Sequence, residues 1–350
     1  MDLLDGSGSV KVIAGTYSNG LDPISGPLQG MTTAPLMLDV QMGAHGQFLE
    51  PIAPGHTAFV YVYEGEALIG DERVGARHLA VLGAGSCVQV TSLETDTRFL
   101  VLAAAPIGDL LLGHGIGEDS SRYIQAARAF AQAGWRTFTW DLRGHGRSEG
   151  PHGYVPRWSR YHDDLAEQVD ALHSEGRPLV VAGHSMGGLI AFGAAAAGRI
   201  TPDKLVLSAP ALEAEIATWK RLAAPLLSSI VPMLRIPTGI GRDTDPGQEL
   251  PNEDPDPPAY LRAVTTRLGD EGFRAQRAAR DVVARGGDFP VETLVIHGTR
   301  DRLVRPEWCE PIGSLGRVRY QPLEGFNHHP FATLRYQDAV EKILEFIGRA

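Results

Sequence analysis

The sequence predicts two domains: an all-β barrel or sandwich, followed by an α/β domain with a mostly parallel sheet, helices on both faces and a cap insertion. Residues 10–105 contain short β-branched or aromatic runs between Gly, Pro and Asp, and no helical pattern begins before residue 120. From about residue 109, apolar strands alternate with longer helical segments. This alternation is typical of a parallel sheet with crossover helices.

We place the first domain at residues 1–108 and the second at 109–350, with the cap at about 211–260. The junction, Pro106-Ile107-Gly108-Asp109, is short. Six short runs in the first half read as strands because they alternate or are wholly apolar over a few residues. These runs are VKVIAG, PLMLDVQM, TAFVYVYEGEALIG, HLAVLG, SCVQVTS and RFLVLAA.

The elements of the second half follow one another in a regular order. The predicted strands are 110–115, 136–142, the apolar run that ends at Gly183, 204–210, 291–298 and 318–323. The predicted helices are 120–134, capped by Ser120 or Ser121, then 157–176, the helix after Gly187, and about 333–348. Residues 243–258 are acidic and rich in proline, which predicts an exposed loop.

Composition favours a soluble globular protein. The 350 residues are 43% hydrophobic and 21% charged, with a net charge of −10, which argues against binding to nucleic acid. Cys87 and Cys309 lack partners at metal-ligand spacing. No run reaches 18 apolar residues, and no signal peptide is recognisable at the N-terminus. We therefore expect a cytoplasmic protein with no membrane span, and the composition makes no prediction of its oligomeric state.

The most informative motif is Gly183-His184-Ser185-Met186-Gly187, between an apolar run and a helix-forming run. A G-x-S-x-G sequence between a strand and a helix predicts a nucleophile elbow. The turn is so tight that small residues must flank the serine, and the glycines at 183 and 187 meet this need. Ser185 is therefore the predicted nucleophile.

A serine hydroxyl becomes reactive when a base removes its proton and a carboxylate orients that base. In this architecture the acid and then the histidine follow the serine, each in a loop after a late strand. Asp301 follows strand 291–298, and His328 and His329 follow the next strand. The two adjacent side chains cannot both point into one cleft, so spacing alone leaves the choice of histidine open.

Backbone amides should stabilise the negative charge that develops on the substrate oxygen. One predicted donor is Met186, at the start of the helix after the nucleophile. The second is Ile116, in the glycine-rich loop His114-Gly115-Ile116-Gly117 after the first strand of this half. We interpret His114 itself as structural.

These motifs together resemble the monoacylglycerol lipase and lysophospholipase branch of the α/β-hydrolases over residues 110–350. The similarity is carried by HGIGEDSSRY, DLRGHGRSEGPHGYV, GHSMGG, LSAP and HGTRDRLV. The resemblance implies that Ser185 is the nucleophile, Asp301 the acid and His328 the base, because the family histidine ends a G-x-x-H pattern. That family commonly has Glu after this histidine, where the present chain has His329. It also has two strands before the first HG strand. Here either residues from the first half complete that edge of the sheet, or the sheet is shortened and the first domain covers its edge.

The segment at the cap position carries apolar residues near helical spacing, broken by Pro225 and Pro232. It is either a mobile lid that lines an acyl tunnel or a helix packed on the body of the domain. The residues that we expect to contact substrate are Trp219, Leu222 and Leu226. An apolar cap favours a lipophilic ester over a charged or peptide substrate.

The first half resembles the C-terminal cupin domain of pirins, from VKVIAGTY through GHTAFVYVYEGEALIG to RFLVLAAAPIG. A metal-binding cupin needs several convergent ligands. Here His56 is followed by Ala58 where a second ligand would lie, and His45 and His78 are scattered. We therefore predict neither a metal nor a cofactor.

The sequence thus favours a serine ester hydrolase that acts on monoacylglycerol-type or similar lipophilic esters through an acyl-enzyme. One alternative is a pirin-like metal-dependent dioxygenase or regulator in which the hydrolase half is a passenger. Another is a nonenzymatic interaction protein. The predicted partner is a small lipophilic ester, and we expect no binding to nucleic acid.

Overall fold

A computed structural model describes residues 3, 7–18, 23–30, 33–53, 55–83, 85–174, 176–238 and 249–348 of the protein. The chain separates into two compact units, Met1–Ile107 and Gly108–Ala350.

The first unit is built from antiparallel strands. Its strands are β1 (Gly8–Ala14), β2 (Thr16–Tyr17), β3 (Ile24–Ser25), β4 (Leu36–Met42), β5 (Gln47–Pro51), β6 (Thr57–Glu64), β7 (Glu66–Ile69), β8 (Glu72–Gly75), β9 (His78–Val81), β10 (Cys87–Ser92) and β11 (Thr97–Ala104). They form a five-stranded sheet in the order β1-β4-β11-β6-β9, a four-stranded sheet in the order β5-β10-β7-β8, and the pair β2-β3.

The core of this unit follows the alternation of its strands. Every second residue of β6 and β11 is buried, so each strand turns one row of side chains inward. Val60, Val62, Phe99 and Val101 lie in this core. The predicted all-β architecture is therefore present.

The second unit contains a six-stranded parallel sheet in the order β13-β12-β14-β15-β18-β19. Its strands are β12 (Gly108–Gly113), β13 (Trp135–Trp140), β14 (Leu179–His184), β15 (Lys204–Ser208), β18 (Asp288–Gly298) and β19 (Gly316–Leu323), and a separate antiparallel pair consists of β16 (Arg235–Pro237) and β17 (Ala263–Thr265). Every residue of β12 and β14 is buried, which is expected of parallel strands covered on both faces.

Helices cover the sheet in two groups. The helices are α1 (Ile124–Gln132), α2 (Ser159–His173), α3 (Met186–Ala196), α4 (Thr218–Ile230), α5 (Thr266–Arg285), α6 (Pro306–Cys309) and α7 (Tyr336–Ile347). Helix α1 contacts α7, whereas α3 contacts both α2 and α5. A 3₁₀ turn at Ser120–Tyr123 precedes α1, and its cap is Asp119, which accepts a hydrogen bond from the Ser121 amide at 3.0 Å. The predicted serine caps therefore lie inside the turn.

All six strands of the parallel sheet come from residues 108–323. Of the two alternatives for the missing leading strands, the described residues therefore show the shortened sheet, with β13 at one edge. The carboxyl ends of β12, β14, β18 and β19 lie at the same edge of the sheet, because parallel strands all point one way. The loops after these four strands carry the predicted site residues.

The insertion after β15 contains α4 and the hairpin strand β16, which pairs with β17 and so extends the ordered insertion to Thr265. Helix α5 follows directly, with Thr265 as its cap. The predicted acidic loop at 243–258 lies partly outside the described residues. None of the helices in the described ranges is both long and apolar enough to cross a bilayer.

Candidate active site

The turn between β14 and α3 holds Ser185 in an unusual backbone conformation, with φ 51° and ψ −111°. The glycines around it are required by space. A Cβ on Gly183 would lie 2.4 Å from the carbonyl oxygen of Gly187, and one on Gly187 would lie 2.7 Å from the Gly113 oxygen. Such strain persists where the surrounding structure enforces it, which is common at catalytic centres. The elbow predicted from the sequence is therefore present.

Three side chains from separate loops meet at this turn. The Ser185 Oγ atom lies 2.9 Å from His328 Nε2, and His328 Nδ1 lies 2.7 Å from Asp301 Oδ2. All three side chains are buried. Because an ionised carboxylate can only accept, Nδ1 carries the imidazole proton and Nε2 is left to accept the serine proton.

The Asp301 carboxylate is held in its charged form. Its Oδ1 atom accepts hydrogen bonds from the amides of Leu303 and Val304, both at 2.9 Å. Burial acts to raise the pKa of Asp301, but hydrogen bonds from His297 and His328 outweigh it and hold the pKa well below its ordinary value. The acid therefore stays ionised throughout the neutral range.

The loop after β12 lies beside the elbow. The Gly187 amide donates to the His114 carbonyl at 3.1 Å, which joins this loop to the start of α3. The His114 imidazole accepts from the Leu142 amide at 2.9 Å, in agreement with a structural role. Ile116 and Met186, the predicted oxyanion donors, both line the cavity that contains Ser185.

His329 lines the same cavity as Ser185 but contacts Glu118. Its Nδ1 atom lies 3.2 Å from Glu118 Oε1, and its ring centroid is 5.3 Å from that of His184. Glu118 was not among the residues selected from the sequence. Its position three residues after Gly115, within the HGIGE run, was the available signal.

A cavity of about 150 Å³ opens onto Ser185 and His328. Much of its wall comes from the insertion and from the first half of α5. The lining side chains from these elements are mainly apolar and include Ile216, Trp219, Leu227, Ile236, Leu268 and Phe273. Helix α5, which the sequence analysis did not predict, thus supplies one wall of the site.

Comparison with known families identifies the family to which the chain belongs. Residues 104–329 match the family model described as serine aminopeptidase, S33. The chain belongs to this family. The described site residues, from Ile116 to His329, all lie within the matched S33 segment.

Curated relatives of this S33 chain carry names of lipid-ester hydrolases. A protein named phospholipase YtpA from Bacillus subtilis is 26% identical over 254 residues, which cover 70% of this chain and 96% of the relative. A monoacylglycerol lipase from Mycolicibacterium smegmatis is 29% identical over 209 residues, covering 57% of this chain and 72% of the relative. The resemblance of residues 110–350 to the monoacylglycerol lipase and lysophospholipase branch is confirmed.

The fold has counterparts among solved structures. The monoacylglycerol lipase of Paleococcus ferrophilus superposes with a TM-score of 0.57 at 24% identity, covering 69% of this chain and 94% of that one. Residues 37–136, which cover most of the first unit and the start of the second, match the model described as the pirin C-terminal cupin domain. Both parts of the predicted fold class, the cupin-like half and the α/β-hydrolase half, are therefore confirmed.

Of the three residues of helix α4 that were predicted to contact substrate, one lines the cavity at Ser185. Trp219 lines the cavity, whereas Leu222 and Leu226 are 77% and 63% exposed and do not line it. At about 100° per residue these two leucines lie on the same side of the helix as Trp219, which is itself 61% exposed and lies at the start of the helix, whereas Ala224 and Leu227 lie on another side. Ala224 and Leu227 form the inner wall in their place.

One cluster in the described residues has the composition of a metal site. Glu118, His184 and His329 each bring one potential ligand atom to within 4.8 Å of the others. However, Glu118 already accepts hydrogen bonds from Gly115 and Tyr123, and Arg122 Nη1 lies 3.3 Å from its Oε1 atom. A guanidinium at this distance repels a second cation, so this donor set fits an internal hydrogen-bond network better than an ion.

Proposed function

We propose that the protein is a serine hydrolase of lipophilic carboxylic esters in which Ser185 is the nucleophile, His328 the base and Asp301 the acid. The observation that carries this proposal is the continuous chain of contacts from Ser185 Oγ through the imidazole to Asp301, at 2.9 and 2.7 Å. The enzyme class follows from the relatives: the chain is a carboxylic ester hydrolase of the monoacylglycerol lipase type.

In the first half-reaction, His328 Nε2 accepts the proton of Ser185 as Oγ attacks the ester carbonyl carbon. The carbonyl oxygen becomes an oxyanion, and the amides of Ile116 and Met186 donate hydrogen bonds to it. As the tetrahedral intermediate collapses, His328 gives its proton to the departing alcohol oxygen. The acyl group is then joined to Ser185 as an ester.

Hydrolysis of the acyl-enzyme repeats these steps with water. His328 accepts a proton from the water molecule, whose oxygen attacks the acyl carbon. The second intermediate expels Ser185 Oγ, which recovers its proton from the imidazole. Asp301 keeps the Nδ1 proton in place and stabilises the imidazolium that forms in both half-reactions.

The cavity supports a substrate with an apolar acyl chain. Ile216, Leu227, Leu268 and Phe273 can enclose a chain whose carbonyl lies at Ser185, and burial of each additional methylene favours binding by about 0.8 kcal/mol. Monoacylglycerols and lysophospholipid-type esters fit this description. Trp219 stays the predicted cap contact, and the cytoplasmic location stays a prediction.

The direct test replaces Ser185 with Ala. The variant should hydrolyse p-nitrophenyl esters at least about 10⁴-fold more slowly than the natural enzyme, because the nucleophile is lost. A fluorophosphonate probe should label the natural enzyme but not the variant. Ser314→Ala, at an exposed serine, is the matched control and should retain both activity and labelling. Hydrolysis by the Ser185→Ala variant at the natural rate would contradict the proposal.

A second measurement defines the substrate. Rates on monoacylglycerols and p-nitrophenyl esters of graded chain length should rise with chain length until the cavity is filled. Equal rates on acetyl and long-chain esters would instead indicate a general carboxylesterase with no acyl-binding site.

A further inference from the structure

Glu118 is the centre of a buried network that connects the loop after β12 with the loop after β19. Its Oε2 atom accepts hydrogen bonds from the Gly115 amide at 2.9 Å and from the Tyr123 hydroxyl at 2.7 Å. Its Oε1 atom lies 3.3 Å from Arg122 Nη1 and 3.2 Å from His329 Nδ1. One carboxylate thus accepts two hydrogen bonds and has two further nitrogen atoms within 3.3 Å.

The charge of this network is balanced without His329. Burial acts to raise the pKa of Glu118, but Arg122 and His329 outweigh it and keep that pKa well below its ordinary value. Burial lowers the pKa of His329 despite the neighbouring carboxylate. Glu118 and Arg122 therefore form the ion pair, and His329 is a neutral imidazole that donates its Nδ1 proton to the ionised carboxylate.

The two residues joined by this contact belong to different loops: Glu118 lies in the loop after β12, and His329 lies in the loop after β19. His329 follows His328 directly, so its orientation limits the backbone conformation that carries the base. Gly115, held by the other oxygen of Glu118, precedes Ile116, the proposed oxyanion donor. A shift of either loop would change the geometry between the imidazole, the hydroxyl and the oxyanion position.

We propose that His329 is a positioning residue, whose Nδ1–H bond to Glu118 ties the loop of the base to the loop of the oxyanion donor. The proposal rests on the proposed function, because it assigns roles to the neighbours of His329. We assign the role of His329 to its Nδ1 atom, because its Nε2 atom has no hydrogen-bond partner among the described residues. A side chain with a donor at the same place should therefore replace it.

The test compares His329→Asn, which retains a neutral N–H donor near the Nδ1 position, with His329→Leu, which has similar bulk and no donor. Both are made in the full-length chain and assayed with p-nitrophenyl butyrate, with active sites counted by fluorophosphonate titration. Thermal unfolding of each variant verifies that it is folded. Should the Leu variant fail to fold, His329→Phe provides the same comparison with an aromatic ring in place of imidazole.

In the Leu variant, kcat should fall about 10- to 100-fold while KM changes less than about twofold, because displacement of a reacting group by roughly 1 Å has an effect of this size. The Asn variant should stay within about threefold of the natural kcat, because the donor is retained. The affinity for an alkyl trifluoromethyl ketone, whose bound form places an oxyanion near Ile116, should fall in parallel with kcat.

An unchanged kcat in a folded Leu variant would overturn the proposal, and so would equal losses in the Asn and Leu variants, which would assign the effect to packing. Absence of ester hydrolysis and of probe labelling in the natural enzyme would instead reject the proposed function. The two failures are therefore distinguishable.

Discussion

His297 and Asp301 meet at the same oxygen that binds the proposed base. His297 Nε2 lies 3.1 Å from Asp301 Oδ2 and 2.8 Å from the Val304 carbonyl. Since both neighbours are acceptors, Nε2 carries the proton, and His297 is a donor to the acid. Two imidazoles thus contact the same carboxylate oxygen of Asp301: His297, near the end of β18, and the proposed base His328.

Replacement of Asp301 by Asn should lower kcat about 10³- to 10⁴-fold with little change in KM, because an amide cannot hold the Nδ1 proton of His328 in the same way. Steady-state kinetics on a soluble p-nitrophenyl ester measure the effect. Asp338→Asn, at an exposed residue of α7, is the control and should behave like the natural enzyme. A kcat within tenfold of the natural value in the Asp301 variant would show that another residue is the acid.

Two glycines leave space in the cavity beside α5. Gly269 and Gly272 line the cavity on one face of this helix, together with Phe273 and Gln276. A glycine inside a helix costs about 1 kcal/mol relative to alanine. A Cβ on Gly269 would meet nothing within 4 Å, and one on Gly272 would lie 3.7 Å from the Trp158 ring. Side chains are therefore tolerated by the backbone but would occupy the cavity.

Gly272→Leu should lower kcat/KM for p-nitrophenyl laurate about tenfold or more, with a change of less than about threefold for the butyrate, since a filled pocket excludes the far end of the longer chain. The measured quantity is the ratio of the two kcat/KM values. Ala278→Leu, exposed on the same helix, is the matched control and should leave the ratio unchanged. An unaltered ratio in the Gly272 variant would mean that the acyl chain lies elsewhere.

We expect the stability of the first unit to depend on pH through Glu50. This residue of β5 is 6% exposed, and its Oε2 atom has no hydrogen-bond partner among the described residues. Burial raises the pKa of Glu50 from 4.5 to about 7. The folded chain therefore binds the carboxyl proton of Glu50 more tightly than the unfolded chain does. As the pH rises from 4.5 to about 7, the stability that this proton contributes is lost.

Glu50→Gln should have a small effect on the unfolding temperature at pH 5 and should stabilise the protein relative to the natural chain at pH 8. The difference between the two proteins is measured by thermal unfolding across this range, which cancels the contributions of other titrating groups. Glu72→Gln, at an exposed residue of β8, should show a flat difference. A flat difference for Glu50→Gln would mean that this carboxyl is hydrated in the folded protein.

Much of the fold and of the site could be predicted because it depends on local chemistry. The tight turn at Ser185 needs glycine at 183 and 187, and the spacing of apolar residues separates the antiparallel half from the parallel one. The order of serine, acid and histidine along the chain follows from the order of the strands. These signals come from neighbouring residues and are therefore visible without any tertiary contact.

Other features depend on contacts between distant segments. His328 and His329 are adjacent and chemically identical, and only the separate positions of Ser185 and Glu118 give them different neighbours. Helix α4 has apolar residues on more than one side, so periodicity alone could not show that Leu227 faces the cavity while Leu226 faces outward.

The sequence by itself thus determined the two fold classes, the elbow and the candidate nucleophile and acid. Turns and strands depend on the types of residues that are adjacent in the chain, so they can be predicted without tertiary contacts. Tertiary structure alone decided the network around Glu118, the contribution of α5 to the cavity and the choice between a completed and a shortened parallel sheet. Each of these depends on which surfaces meet after the chain has folded, and the energy of such contacts belongs to pairs of residues far apart in the sequence.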